Sequence, residues 1–321
     1  MKYKVVVTRK IPEVGIDLLK KAGFQVVVNP YDRVLKREEL KKMVKGAHAI
    51  LSLLTDKIDG EILDAAGPQL KIVANYAVGY DNFKLEDFKD RKIYATNTPG
   101  VLTETVAEHA IGMLFAIAQR IVEADEFVRQ GKFEGWGPML FLGADVRNKT
   151  LGIVGLGRIG AEVAKRMRDG FGLSIIYYDV KRNLELEKEL KIKYAPFKQL
   201  LKKSDFISIH VPLLPTTHHM FTLKEFKLMK KTAYIINTAR GAVIKEKDLV
   251  VALKKKIIAG AALDVYEFEP KITPELLKLP NTVLLPHIAS ASIETRSKMA
   301  EMAANNIIAV LKGKKPLNPI F

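Results

Sequence analysis

The sequence predicts an α/β chain built as two doubly wound, parallel-sheet domains. Three observations carry that expectation. Strand-like apolar runs alternate with helical segments in two separate series. The run Gly152-Ile-Val-Gly155-Leu-Gly157-Arg158-Ile159-Gly160 ends a short apolar strand in a tight glycine turn that opens a helix. At 321 residues the chain is also longer than a typical single domain, and each of two domains would have enough chain to bury its own core.

The first series places strands at 4–8, 25–29, 47–54, 70–76 and 92–96, with helical segments such as 14–22 and 37–45 between them. After Pro99-Gly100, residues 103–122 open with an acidic turn and are apolar nearly all round through Ala110, Ile111, Met113, Leu114, Phe115 and Ile117. A helix of that composition has to be buried. The second series starts at Thr150, with strands at 150–154, 174–178, 206–211, 233–237, 260–265 and 282–286. One more amphipathic helix follows His287, with Met299, Met302, Ala303, Ile307, Val310 and Leu311 on one side and no strand after it. That ending suggests that the last helix returns to the first domain. The expected division is therefore 1–99 with 288–321, and 100–287.

The glycine turn gains its meaning from its context, because glycine turns alone are common. A buried strand precedes it, and Ala161, Val163, Ala164 and Met167 follow at helical spacing. Gly155 suits the tight turn, Gly157 leaves room for a pyrophosphate, and Gly160 lets helix and strand approach. Free N–H groups at the helix start would face the phosphates. The next strand ends in Asp179, near the spacing expected of an acid that binds the ribose hydroxyls.

Composition excludes several classes of function. The absence of cysteine removes disulfides, thiolate metal sites and cysteine nucleophiles, in keeping with a reducing cytoplasm. No apolar run approaches the ~20 residues of a membrane span, and Met1 leads straight into a strand without a secretory signal. The formal charge of +16 comes mostly from lysines scattered among Glu and Asp, without interleaved aromatics. We therefore expect no nucleic-acid partner, although the positive field would gather anionic ligands. Abundant lysine and glutamate with no cysteine also resemble thermophile composition.

Ligand-facing groups of an open α/β sheet lie beyond the carboxyl ends of its strands. Three strands of the second series end in Thr238-Ala239-Arg240-Gly241, in Tyr266-Glu267-Phe-Glu269-Pro270 and in Pro286-His287. An arginine, a glutamate and a histidine thereby converge on one edge. Together with the glycine turn, the motifs Asn237-x-Ala239-Arg240-Gly241, Leu263-Asp264-Val-x-x-x-Glu269-Pro270 and Leu285-Pro-His287-Ile288 resemble the D-isomer-specific 2-hydroxyacid dehydrogenase family. The resemblance covers nearly the whole chain. Within the family the likeness is to glyoxylate/hydroxypyruvate reductases, partly through Trp136-Gly-Pro-Met-Leu-Phe-Leu-Gly143.

The resemblance implies a Rossmann cofactor domain and a flavodoxin-like substrate domain, with the active site in the cleft between them. It gives His287 the role of general acid/base, Glu269 that of the carboxylate that holds the ring and favours its charged form, and Arg240 that of binding the substrate carboxylate. Glu267 is a competing carboxylate, and the position before Pro270 favours Glu269. The expected cofactor contacts are Thr103, Gly155, Gly157, Arg158, Ile159, Gly160, Asp179, Pro212, Thr217, Thr238, Ala239, Arg240, Asp264 and His287. Asp264 otherwise serves as a loop cap. The expected substrate contacts are Leu53, Val78, Gly79, Arg240, His287 and Trp136, the tryptophan acting across a homodimer or, on the alternative reading, filling a core. Leu214, Ala262 and Ala289 depart from the family pattern. His48, His109, His218 and His219 form no convincing metal set.

Asp179 favours NAD(H), while Lys181 and Arg182 leave NADP(H) open. The expected reaction is reduction of glyoxylate or hydroxypyruvate to the D-2-hydroxy acid. D-3-phosphoglycerate dehydrogenase is a rival reading, disfavoured because the sequence stops at Phe321 without a regulatory domain. D-lactate dehydrogenase is another, and a cofactor-sensing corepressor or scaffold of the same fold is an alternative of a different class.

Overall fold

The computed structural model describes residues 2–321 and divides into two compact units, one made of the chain up to Leu102 with Ser290–Phe321, the other Thr103–Ala289. The divisions fall slightly later than the expected 99/100 and 287/288. Thr103 already belongs to a helix packed on the second sheet, and the N–H groups of Ile288 and Ala289 are tied to Asp264 within that unit.

In the first unit the order is β1 (Lys4–Val7), α1 (Glu13–Lys21), β2 (Gln25–Val28), α2 (Arg37–Val44), β3 (Ala49–Leu53), α3 (Gly60–Ala66), β4 (Ile72–Tyr76), α4 (Leu85–Asp90) and β5 (Tyr94–Thr96). All the pairings are parallel and the sheet runs β2-β1-β3-β4-β5. That order reverses direction between β1 and β3. The last helix, Ile293–Leu311, is started by the Ser292 hydroxyl accepting from Thr295 N and packs on α1, β3 and β4. Of its expected apolar side, Met299, Ala303, Ile307, Val310 and Leu311 are buried and Met302 is half-buried.

The second unit opens with α5 (Thr103–Ala118) and α6 (Ile121–Arg129). The single helix expected over 103–122 is thus two. Arg120 takes a left-handed φ of 56°, its guanidinium pairs with Glu123 at 2.6 Å, and it lies over the Phe141 ring. Burial of α5 is also one-sided: Val106, Ala110, Met113, Leu114 and Ile117 are covered, Phe115 is half-buried and Gly112 exposed.

The chain continues through β6 (Thr150–Val154), α7 (Arg158–Phe171), β7 (Ser174–Tyr178), α8 (Leu184–Glu189), β8 (Lys193–Tyr194), α9 (Phe197–Lys203) and β9 (Phe206–Ile209). It ends with α10 (Leu223–Phe226), β10 (Tyr234–Asn237), α11 (Glu246–Lys254), β11 (Gly260–Leu263) and β12 (Thr282–Leu284). The seven strands are parallel in the order β12-β11-β10-β9-β6-β7-β8. Both faces are buried, one against α5 and α7 and the other against α9 and α11. Fully covered side chains such as Phe206, Ile207 and Ile209 each contribute roughly 1.5–3 kcal/mol. The direction of winding reverses between β6 and β9, which puts the glycine turn after β6 at the crevice where such sheets bind ligands.

Candidate functional site

The glycine turn closes as its sequence suggests. Gly155 has φ 96°, and a Cβ there would press on the His210 backbone at 2.9 Å. A side chain at Gly160 would overlap the Gly155 carbonyl and touch Ile153, whereas the space above Gly157 is open. Gly157 caps α7, so the N–H groups of Arg158 and Ile159 lie in its first turn, where a helix leaves donors free. Asp179 follows β7, and its Oδ2 accepts from Leu156 N inside the turn at 2.8 Å while Oδ1 accepts from Val180 N at 2.7 Å. The acid therefore braces the turn.

His210, which the sequence reading passes over, follows β9 directly against this turn. Its Nε2 lies 2.8 Å from the Ser208 hydroxyl, and desolvation pushes its imidazole down to about 3, so the ring is neutral. Pro212 and Thr217 lie in the following loop. The Thr217 hydroxyl donates to Pro212 O at 2.6 Å and accepts from Leu214 N at 2.8 Å, so it shapes the loop from within.

Three adjacent strand ends carry the polar groups. After β10, the Asn237 side chain accepts from Ala239 N and donates to Arg240 O, both at 3.0 Å, which fixes the Thr238-Ala239-Arg240 turn. The Arg240 Nη1 donates to Ala239 O at 2.8 Å. Gly241 has no room for a Cβ, which would run into the Tyr266 carbonyl carbon and oxygen. This contact draws the arginine turn against the loop after β11, and only the glycine of the Arg-Gly pair signals it in the sequence.

That loop carries Glu269, whose Oε2 lies 2.9 Å from His287 Nδ1 and whose Oε1 accepts from Tyr266 N at 2.9 Å. Tyr266 links the two loops, because its hydroxyl also donates to Leu285 O at 2.9 Å, just before His287. Burial pushes its phenol up, which keeps it a donor. The competing Glu267 has other partners: Oε1 lies 2.6 Å from His219 Nε2, and Oε2 accepts from Glu246 N at 2.9 Å. Glu246, itself buried, accepts in return from Glu267 N and Thr273 N. Nothing in the sequence marks this exchange, since Glu246 reads as an ordinary acidic helix start.

Asp264 is fully buried, and its two oxygens accept from Ile288 N at 2.8 Å and Ala289 N at 2.7 Å, bonds of the loop-capping kind. It holds the segment that carries His287, a residue with the left-handed φ of 57°. His109 on α5 sits beside it, its Nε2 3.6 Å from Asp264 Oδ1.

A nicotinamide dinucleotide fits these residues. Alongside the open glycine cradle, Thr238 Oγ1 and His109 Nε2 are buried with no hydrogen-bond partner among the described residues, which leaves polar atoms for a ligand to satisfy. Thr103 opens α5, and Ala262 and Ala289, two departures from the family pattern, are both buried.

In the first unit, Leu53 ends β3 and Val78 and Gly79 follow β4. The Asn82 amide donates to Leu53 O at 3.1 Å and Asp56 O at 2.9 Å, and the Asn75 amide donates to Gly79 O at 2.9 Å. Asn75 and Asn82 also bond each other, so one amide pair joins both loops. Asp56 accepts from Leu53 N at 2.8 Å, and burial pushes its carboxyl up. Trp136, by contrast, is 85% exposed, which removes the reading that it fills a core.

A family model described as the NAD binding domain of D-isomer specific 2-hydroxyacid dehydrogenases matches residues 111–289. A glyoxylate reductase of Korarchaeum cryptofilum is 51% identical over 99% of this chain and 96% of its own length. Among solved structures, a protein of Thermus thermophilus superposes with TM-score 0.94 at 40% identity, covering 99% of this chain and 100% of that one. An NADPH-dependent glyoxylate/hydroxypyruvate reductase of Sinorhizobium meliloti, solved with NADP and malonate, gives TM-score 0.87 at 32% identity over 100% and 97% of the two chains.

Proposed function

The chain belongs to the D-isomer-specific 2-hydroxyacid dehydrogenase family, and from that premise we propose that it reduces glyoxylate or hydroxypyruvate to the D-2-hydroxy acid with NADH, His287 giving the proton. It is an oxidoreductase with a nicotinamide-binding domain. The observation that carries the proposal is the 2.9 Å contact between His287 Nδ1 and Glu269 Oε2.

The bound nicotinamide cofactor supplies the hydride. The chain supplies the rest. With Nδ1 directed at Glu269, Nε2 is the nitrogen left to deliver a proton to the carbonyl oxygen. A carboxylate beside the ring stabilises the positive charge it carries before that transfer. Arg240 presents a cationic fork suited to a carboxylate and to polarising the carbonyl. In the first unit, backbone N–H groups near Leu53, Val78 and Gly79 are the proposed partners of the substrate carboxylate. The glycine turn and the first N–H groups of α7 receive the phosphates.

Two observations support NADH over NADPH. Asp179 is held at the end of β7, where its charge would repel a ribose 2′-phosphate. Arg182, one of the two cations close in sequence to such a phosphate, is paired with Glu187 at 2.7 Å and lies over the Tyr194 ring. The Sinorhizobium relative favours the second reading, NADPH. We further propose a homodimer, supported by the exposed Trp136 and Met139, and a cytoplasmic location, supported by the lack of cysteine.

The test is a set of 2-oxo acids, glyoxylate, hydroxypyruvate, pyruvate and 3-phosphohydroxypyruvate, assayed with each reduced cofactor. The proposal expects the highest kcat/KM for one of the first two with NADH. A clear preference for pyruvate or for 3-phosphohydroxypyruvate contradicts it.

A further inference from the structure

At the amino-terminal ends of β6, β7 and β8, the edge of the sheet opposite the glycine turn, the surface opens into a cleft of about 690 Å³. Its walls carry six cations, Arg168, Lys191, Lys193, Lys202, Lys203 and Lys230, and no acidic side chain. Two of these are matched: Arg168 by Asp169 at 2.6 Å and Lys230 by Asp205 at 2.8 Å. Among the described residues, the other four make no ion pair within 4.0 Å, the nearest charge relation being the longer-range pull of Asp169 on Lys191.

Three of these four lysines have an ordinary local reason to be where they are. Lys202 and Lys203 close the last turn of α9, where cations complement the helix dipole, and Lys193 lies on the edge strand β8, where a charge discourages strand addition. Side chains pointing anywhere into solvent would satisfy those reasons. None of them requires four unmatched charges around one recess, where they repel each other and where concave walls concentrate the field. The recess lies within the range of about 300–1,000 Å³ typical of small-molecule sites.

We propose that this cleft binds a small linear polyphosphate of three or more phosphoryl groups. Four unmatched lysines call for a ligand with several charges spread along its length, more than one orthophosphate carries. The lining includes no aromatic side chain, so nothing is present to stack a base, which favours the bare polyphosphate chain over a nucleic acid. The site is separate from the cofactor's. The five residues of β7 run between the cleft and Asp179, a distance of about 15 Å.

The experiment titrates inorganic tripolyphosphate into the full-length protein by calorimetry at constant ionic strength. The protein is first saturated with whichever reduced cofactor it binds, which fills the glycine turn. A Lys193→Gln, Lys202→Gln double variant, checked for folding by circular dichroism, is titrated in parallel. The proposal expects one tripolyphosphate per chain, at least tenfold weaker binding in the double variant, and the same rate of oxo-acid reduction by both proteins without tripolyphosphate. Absence of binding, loss of binding on cofactor saturation, or equal affinity in the double variant overturns it.

Discussion

His287 Nδ1 and Glu269 Oε2 lie 2.9 Å apart across two loops that leave neighbouring parallel strands. Neither loop is left to fix its own position. Tyr266 bonds Glu269 with its N–H and Leu285 with its hydroxyl, and Asp264 holds Ile288 and Ala289 on the far side of the histidine. The pair is thereby set by backbone anchored to the sheet.

Replacing Glu269 by Gln preserves size and removes the charge. We expect kcat to fall about 100-fold, the lower end of what general acid–base catalysis contributes, with little change in cofactor KM. Both side chains are partly exposed, at 25% and 31%, so the melting temperature should hardly move. Glu269→Asp should recover part of the loss. Steady-state kinetics and a thermal melt check both points, and a variant with parental kcat would remove Glu269 from the reaction.

Asn82→Ala deletes the two hydrogen bonds that join the Leu53 loop to the loop after β4 and the two that Asn82 exchanges with Asn75. At about 0.5–1.5 kcal/mol for each part-buried hydrogen bond, the melting temperature falls by several degrees. The oxo-acid KM should rise about tenfold while cofactor KM is unchanged, because only the proposed carboxylate site is disturbed. A parallel rise in both constants would mean a general structural effect instead.

Trp136 and Met139 are 85% and 76% exposed, and Phe133 and Leu142 beside them are more than half exposed. Exposed apolar side chains this close in sequence are the basis of the proposed dimer. Sedimentation equilibrium should return twice the mass of the chain, and Trp136→Ser with Met139→Ser should shift it toward one. A parent protein that sediments as a monomer at micromolar concentration argues against the dimer.

His210 gives a pH dependence of stability with a defined sign. Its ring is depressed from 6.5 to about 3 by desolvation, so between those values the unfolded chain holds a proton that the folded chain does not. The stability this group contributes is complete above pH 6.5 and is lost as pH falls toward 3. In His210→Asn, the decline of melting temperature over that window should be shallower. Melts at half-unit intervals measure it, and parallel curves for the two proteins would contradict the assignment.

Much of the site is legible in the sequence because ligand ends of parallel strands are found by locating the strands. Arg240, Glu269 and His287 each follow a strand with clear apolar character, and the glycine turn announces itself by spacing. What escapes depends on contacts between distant residues. In the sequence the choice of Glu269 over Glu267 rests on the neighbouring proline, whereas the structure brings Glu269 to His287 and gives Glu267 to His219 and Glu246. The two backbone donors that Asp264 holds, Ile288 N and Ala289 N, lie 24 and 25 residues further along the chain and leave no mark in the sequence around it. The break at Arg120 follows from its pairing with Glu123 and its seat on Phe141, which helical periodicity does not record. Strand β8 has only two residues, one of them lysine, too short for an alternating pattern to register.

The most direct measurement of the central claim is kcat for glyoxylate in His287→Asn, alongside cofactor affinity and a thermal melt. If the imidazole delivers the proton, kcat falls about 10²- to 10⁴-fold while the cofactor still binds and the protein melts near the parent temperature. A folded, cofactor-binding variant that turns over at the parental rate would contradict the account.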